Sequence, residues 1–265
     1  FLRDITRRVP SPKGGTVYSQ GQLAQQAAEA MRARTRTPLR PETPGGADVR
    51  IGNLGSGSDY TPFLQHLGVP STDIGSSGPY GVYHSVFDNY NWFTKFADPT
   101  FAYEQQQARV FGLEALHMAD ADVLPYDYRG YGADIVGYVH AAQRRADALN
   151  LSLDFTAANA GAERFADAGE HIHHVQETPP ANPASLNHAL RAAEEALLNP
   201  AGLPRRPWYK HTIYAPGEFT GYAAVVIPGV NEAIEAQDAP RAQAQLAVLA
   251  EALNRSSVIL EEAAK

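Results

Sequence analysis

The sequence predicts an α/β segment followed by an all-α helical bundle, and three observations carry that prediction. Between Ile51 and Ile74 a short apolar run (Ile51 to Leu54), a Gly/Ser turn, a helical stretch and a second apolar run (Val69 to Ile74) follow one another. That order is a βαβ unit, which implies a parallel or mixed sheet with ligands beyond the carboxyl ends of its strands. Past Leu124-Pro125-Tyr126-Asp127 the character changes, and Ala-rich segments of helical length dominate: Tyr131 to Leu149, Leu153 to Glu170, Pro183 to Leu198 and Ala239 to Glu262. The change places a domain boundary near Asp120, with one domain over residues 1–120 and a helical one over 121–265.

Along the chain, residues 1–17 are punctuated by Pro10, Pro12, Gly14 and Gly15 and read as surface connection. Leu23, Ala24, Ala27, Ala28 and Met31 recur at helical spacing, so Tyr18 to Arg34 is predicted as a helix. Thr35 to Asp48 carries three prolines and Gly45-Gly46 and is predicted as loop, either functional or disordered. Thr61-Pro62 fits an N-cap followed by proline at the first helical position, with Phe63, Leu64 and Leu67 as the buried face and Gly68 as the stop. Val110, Phe111, Leu113, Leu116 and Met118 predict a long helix over Phe101 to Ala119. An aromatic and proline-rich segment, Gly202 to Val230, interrupts the bundle, and no internal repeat is present.

Composition narrows the function. The chain of 265 residues is 44% hydrophobic, enough for a substantial core. Its net charge of -7 arises from both signs spread along the chain without a basic block, which argues against a nucleic-acid or anionic-membrane partner. Without cysteine there is neither a disulfide nor a thiolate metal site, so any metal must be held by His, Asp, Glu or backbone oxygen. No apolar run reaches the roughly 18 to 20 residues of a membrane span. The start at Phe1-Leu2-Arg3, with neither Met nor a signal sequence, is expected of a fragment or processed product whose targeting information has been removed.

His84, between Tyr83 and Ser85, follows a Gly/Ser loop after the second predicted strand, where a histidine is either a metal ligand or a merely polar residue. With a helix starting at Ser85, the carboxylate of Asp88 would approach the imidazole from one turn away and fix its tautomer; otherwise Asp88 is a solvated first-turn acid. The Gly57, Ser58 and Asp59 turn offers backbone N–H groups to an anionic substrate group, or is simply a tight connection. No phosphate-loop lysine, dinucleotide fingerprint or serine-nucleophile elbow accompanies it. His171-Ile172-His173-His174 is expected in an inter-helix loop, without the convergent geometry of a zinc site, and Glu194-Glu195 and Glu261-Glu262 are expected as solvated faces.

Asn53 to Asp88, Lys95-Phe96-Ala97-Asp98-Pro99 and Gly202 to His211 with Ile213-Tyr214-Ala215-Pro216 together closely resemble glutamate carboxypeptidase II and its relatives, including the non-enzymatic transferrin receptor. The resemblance implies that residues 1–120 are the C-terminal half of a dizinc exopeptidase domain, part of a sheet sandwiched by helices, and that residues 121–265 are a helical dimerisation domain of a homodimer. It further implies a peptide substrate and two zinc ions, with His84 as one metal ligand and Asp88 in the shell behind it. The general base and the remaining ligands are expected upstream of Phe1, in an N-terminal half on the same or another chain, so that these residues alone should be inactive. Gly57, Ser58, Tyr83 and Tyr222 are implied as substrate-binding, and Arg109 as a structural, anion-associated arginine. Gly221 stands where the glutamate-specific member has lysine, and Asp73 and Gly75 where it has an arginine patch. Loss of those cations removes charge-assisted pairing with an acidic substrate, so a broader aminopeptidase or dipeptidase preference is expected. An extracellular or periplasmic setting, with a membrane anchor in upstream sequence, is also implied. Two other readings stay open, a receptor-like or scaffolding protein of the same architecture and a free-standing dimerisation module; retention of His84 favours the enzyme.

Overall fold

The computed structural model describes residues 1–35 and 48–265, and the predicted loop between Thr35 and Asp48 lies largely outside the described residues. The chain forms two compact units, one of residues 1–51 and 74–121 and the other of residues 52–73 and 122–265. Both are predominantly helical.

In the first unit, α1 (Leu2–Arg8) and α2 (Val17–Thr35) precede a short α4 (Tyr90–Trp92), whose turn continues as a π-helical turn over Phe93–Ala97, and the long α5 (Ala102–Ala119). The N-terminal segment is therefore a helix rather than surface connection: its prolines and glycines begin only at Pro10, and Ile5 and Val9 pack with Val110 as a small core. Asp98 starts α5 by accepting hydrogen bonds from the N–H groups of Ala102, Tyr103 and Glu104 at 2.9, 2.8 and 3.0 Å, which satisfies three of the donors a helix start leaves open.

The second unit contains α3 (Tyr60–Pro62), extended by a π-helical turn over Phe63–Leu67, then α6 (Tyr128–Ala148), α7 (Thr156–Glu177), α8 (Ala184–Glu195), α9 (Pro228–Glu235) and α10 (Ala239–Ala263). Its core joins Ile135 and Val139 of α6, Phe165 and Ile172 of α7, Leu190 of α8, Ile234 of α9 and Leu246 and Leu253 of α10. The alanine content has a packing reason. Small side chains let helices approach closely, and a Cβ on Gly132 would lie 2.5 Å from the Cα of Ala166, and one on Gly169 2.4 Å from the carbonyl oxygen of Tyr128.

That close approach explains why α7 runs through Gly169 to Glu177. The His171-Ile172-His173-His174 group, expected in a loop, is helical, with Ile172 in the core and His173 and His174 facing Glu177 and Glu170 on the surface.

The expected βαβ unit is not formed. Among the described residues the only strands are β1 (Tyr214–Pro216) and β2 (Ala224–Val226), an antiparallel hairpin with Tyr214 opposite Val226. Residues 51–54 and 69–74 have the composition of strands but lack regular structure. A strand exists only as a paired element, because its N–H and C=O groups need a partner ladder, and none lies beside either run among the described residues. Thr61 is likewise not a cap: the helical turn begins one residue before it, and its hydroxyl donates to the Ser58 carbonyl at 2.7 Å. Gly68 does close the turn, with φ +67.

Candidate functional site

In the first unit His84 sits in a tight turn. The Ser85 N–H donates to the Val82 carbonyl at 2.9 Å, and His84 at the third position has φ +61, the left-handed region that this kind of turn requires there. Histidine tolerates that region better than most residues, yet the conformation still costs about 1 kcal/mol or more. The imidazole is exposed, stacks on the exposed ring of Tyr83 with centroids 3.8 Å apart, and has no hydrogen-bond partner among the described residues. A second turn follows, closed by the Asp88 N–H donating to the Ser85 carbonyl at 3.1 Å.

The helix expected at Ser85 is therefore replaced by two turns, and helical structure starts only at Tyr90, capped by the Asn89 side chain. Without a helical turn between them, Asp88 makes no hydrogen bond or ion pair with His84 among the described residues. Tyr83, Val86 and Phe87 are all more than 60% exposed, which leaves the whole His84 segment accessible.

In the second unit the Gly55–Ser58 turn meets the loop of the β1–β2 hairpin. The Ser56 N–H donates to the Tyr222 carbonyl at 3.0 Å. A Cβ on Gly55 would stand 2.0 Å from that oxygen, and one on Gly57 2.8 Å from the Tyr222 ring. Both glycines are thus demanded by the approach of Tyr222, and Gly57 also by its φ of +103. The structure brings Gly57 and Tyr222 into contact; Ser58 stays in the same turn, its carbonyl accepting from the Thr61 N–H and hydroxyl. The Tyr222 side chain is 66% exposed and Phe219 on the same loop 90%. Gly221, between them, adopts φ +66 with open space around it. Burial, and after it the negative charge of Asp73, raise the pKa of the nearby Tyr60 hydroxyl, which donates to the Ser56 carbonyl.

Sequence reasoning missed a buried polar group behind this hairpin. His211 is fully buried, and its Nε2 lies 2.9 Å from Oε1 of Glu194, itself only 5% exposed rather than a solvated face. The signal was available: Glu194 falls four residues after the buried Leu190 and three before the buried Leu197, on the apolar side of α8. Around it Tyr128, Tyr131 and Tyr214 have pKa values held well above the ordinary 10, in each case first by burial. For Tyr128 and Tyr131 the charge of Glu194 is the second cause.

Residues 149–261 match the family model of the transferrin receptor-like dimerisation domain. Over 183 residues the chain is 36% identical to the probable glutamate carboxypeptidase LAMP1 of Arabidopsis thaliana, covering 68% of this chain and 27% of that protein. It is 34% identical over 209 residues to a probable glutamate carboxypeptidase of Arthroderma benhamiae, covering 72% and 28%. With aminopeptidase NAALADL1 of Rattus norvegicus the identity is 31% over 224 residues, covering 76% and 30%. The chain thus spans less than a third of the length of these relatives.

Proposed function

Because the chain belongs to the transferrin receptor-like peptidase family, we propose that it is the C-terminal portion of a zinc-dependent exopeptidase, supplying one metal ligand, part of the substrate-binding wall and a homodimer interface. In this proposal residues 1–120 complete a peptidase domain whose other ligands and general base lie in upstream sequence, and residues 121–265 are the dimerisation domain.

The observation that carries it is the state of His84. A zinc ligand must be a neutral imidazole with an accessible nitrogen lone pair, and His84 is exposed, free of hydrogen bonds among the described residues, and held in a backbone conformation that costs energy. Strain at an exposed position is characteristic of functional sites. The residues present fit one ligand and not a set, since among the described residues no group of three His, Asp or Glu side chains is disposed to hold a metal ion. Bound in a complete ligand set, zinc supplies a water whose pKa is lowered toward about 7. What this chain's own residues do is narrower: Tyr83 orients the imidazole by stacking, and Gly57, Ser58 and Tyr222 offer a turn and an aromatic edge to the substrate.

The preference that fits is not for acidic residues. Gly221 supplies no cation beside Tyr222, the Arg205 guanidinium at that loop is paired with Glu218, and Asp73 adds a negative charge near Tyr60 that would repel a substrate carboxylate. A broad aminopeptidase or dipeptidase activity follows, in line with a relative named as an aminopeptidase. The test is peptidase activity of the complete natural polypeptide toward N-blocked and N-free peptides, with and without His84→Ala. Hydrolysis lost in the variant is expected. Equal turnover by His84→Ala, or no peptide hydrolysis by the wild type, would contradict the proposal and favour a receptor-like role.

A further inference from the structure

The buried Glu194 and His211 side chains are hydrogen-bonded to each other, and Gln65 joins His211 through its backbone carbonyl, an arrangement that the proposed function leaves unused. Nδ1 of His211 accepts from the backbone N–H groups of both Ile213 and Tyr214, at 3.1 and 3.2 Å. A nitrogen receiving two donors carries no proton, so the ring's proton is on Nε2, which donates to Glu194 Oε1 at 2.9 Å. The imidazole thereby fixes the first residue of β1, with the carboxylate holding the ring in place. On the other side the backbone N–H groups of Lys210 and His211 both donate to the Gln65 carbonyl, at 2.8 and 3.2 Å. The Gln65 side chain, 0% exposed, turns its amide to the carbonyls of Leu54 and Gly55, at 3.3 and 2.9 Å.

Those two arms rejoin at the far end of the hairpin. One runs from His211 along β1 to the loop that carries Tyr222, the other from Gln65 to the Gly55 turn, and the turn meets the loop through the Ser56 N–H and the Tyr222 carbonyl at 3.0 Å. The ring of contacts is closed, so a shift of His211 moves Tyr222 relative to Gly57. Burying a carboxylate, an imidazole and an amide together is costly where packing alone is needed, and hydrocarbon side chains would fill the same space. Such a network earns its place by fixing one geometry.

We propose that Glu194, His211 and Gln65 are positioning residues that set the Tyr222 ring against Gly57, and so determine substrate specificity at that wall of the site. The proposal rests on the function given above for Tyr222. Arg206 also supports the hairpin, its Nη1 donating to the Pro216 carbonyl and its Nη2 to both carboxylate oxygens of Glu232, but it holds the outer end of β1 and makes no bond to the Gly55 turn among the described residues.

Three variants of the complete polypeptide test it: His211→Ala, His211→Asn, whose side-chain oxygen can accept where Nδ1 does, and Glu194→Gln, which keeps an acceptor for Nε2. Two readouts are needed, amide exchange over residues 54–58 and 213–226, and KM and kcat for peptide hydrolysis. For His211→Ala, exchange is expected to rise about tenfold or more in those two segments while amides of α6 and α7 are unchanged. KM is expected to rise about tenfold with kcat within about threefold of wild type. His211→Asn should recover most of the KM effect, and Glu194→Gln should fall between. A fall in kcat with KM unchanged, or exchange rising evenly through the bundle, would reduce the network to a structural role and overturn the proposal. Should the wild type hydrolyse no peptide, the functional reading fails on its own, and exchange confined to the two segments, or its absence, still decides whether the network positions Tyr222.

Discussion

Substituting Gly55 by alanine tests how tightly the turn and the hairpin are joined. The new Cβ would lie 2.0 Å from the Tyr222 carbonyl oxygen, 2.7 Å from the Ala224 nitrogen and 2.8 Å from the Ala223 carbonyl carbon. All three are backbone atoms, so no side chain can swing aside. Ordinary contact resumes only at 3.4 Å, and the turn and loop must separate by more than the 3.0 Å bond from Ser56 to Tyr222 can follow. Loss of that bond costs about 1 kcal/mol and the overpacking about 1–3 kcal/mol. The reduced freedom of the unfolded chain returns about 0.5–1 kcal/mol. The net destabilisation is therefore about 1–3 kcal/mol in urea unfolding, with loss of protection at the Ser56 amide. Gly52→Ala is the control, since a Cβ there meets nothing within 4 Å, and it should fall within about 0.5 kcal/mol of wild type. A Gly55→Ala protein as stable as the control, with Ser56 still protected, would refute the close joining of the two segments.

Three further outcomes are expected. Phe165, fully buried and edge-on to Tyr128 and Tyr131, should cost about 3–5 kcal/mol when cut to alanine, seen as a lower urea midpoint of the helical unit. Asp98→Ala removes an acceptor shared by three N–H groups and should cost about 1–2 kcal/mol, with exchange rising in the first turn of α5 and nowhere in α6 to α10. Arg164 grips Glu261 through two bonds of 2.6 and 2.7 Å and holds its pKa below the ordinary 4.5. A depressed folded-state value means stabilisation present above pH 4.5 and lost as the pH falls through the folded value. Both partners are over a third exposed, so Glu261→Gln should cost no more than about 1 kcal/mol at pH 7, a difference from wild type that vanishes in acid unfolding curves.

The longer helices were legible because their apolar residues recur at helical spacing, and in α10 the predicted and observed starts coincide at Ala239, whereas the short α1 and α9 were not read as helices. What sequence could not supply was contact. The predicted helix ended at Glu170, just past Gly169, yet Gly169 is a helical glycine packed against the Tyr128 carbonyl, and the helix runs on through the histidines after it. The runs at 51–54 and 69–74 carry strand composition without strand structure, because pairing depends on residues remote in sequence. Glu194 was misjudged by its neighbour Glu195, since successive helical residues point about 100° apart and so one of the pair faces inward and the other outward. At the site, the residues implied by family resemblance could be named from sequence, but not their geometry. The contact of Gly57 with Tyr222 spans most of the second unit's sequence, and no local pattern encodes it. Nor could the turn that separates His84 from Asp88 be read from a stretch compatible with helix.

Metal content tests the central claim most directly. The complete natural polypeptide, purified without chelator, and its His84→Ala variant are compared for bound zinc by elemental analysis, with far-ultraviolet circular dichroism to show that both are folded. His84 is exposed and makes no bond among the described residues that its loss would break, so the variant should fold as the wild type does and hold less zinc per chain. Equal zinc in the two proteins, or none in the folded wild type, would contradict the assignment of His84 as a ligand.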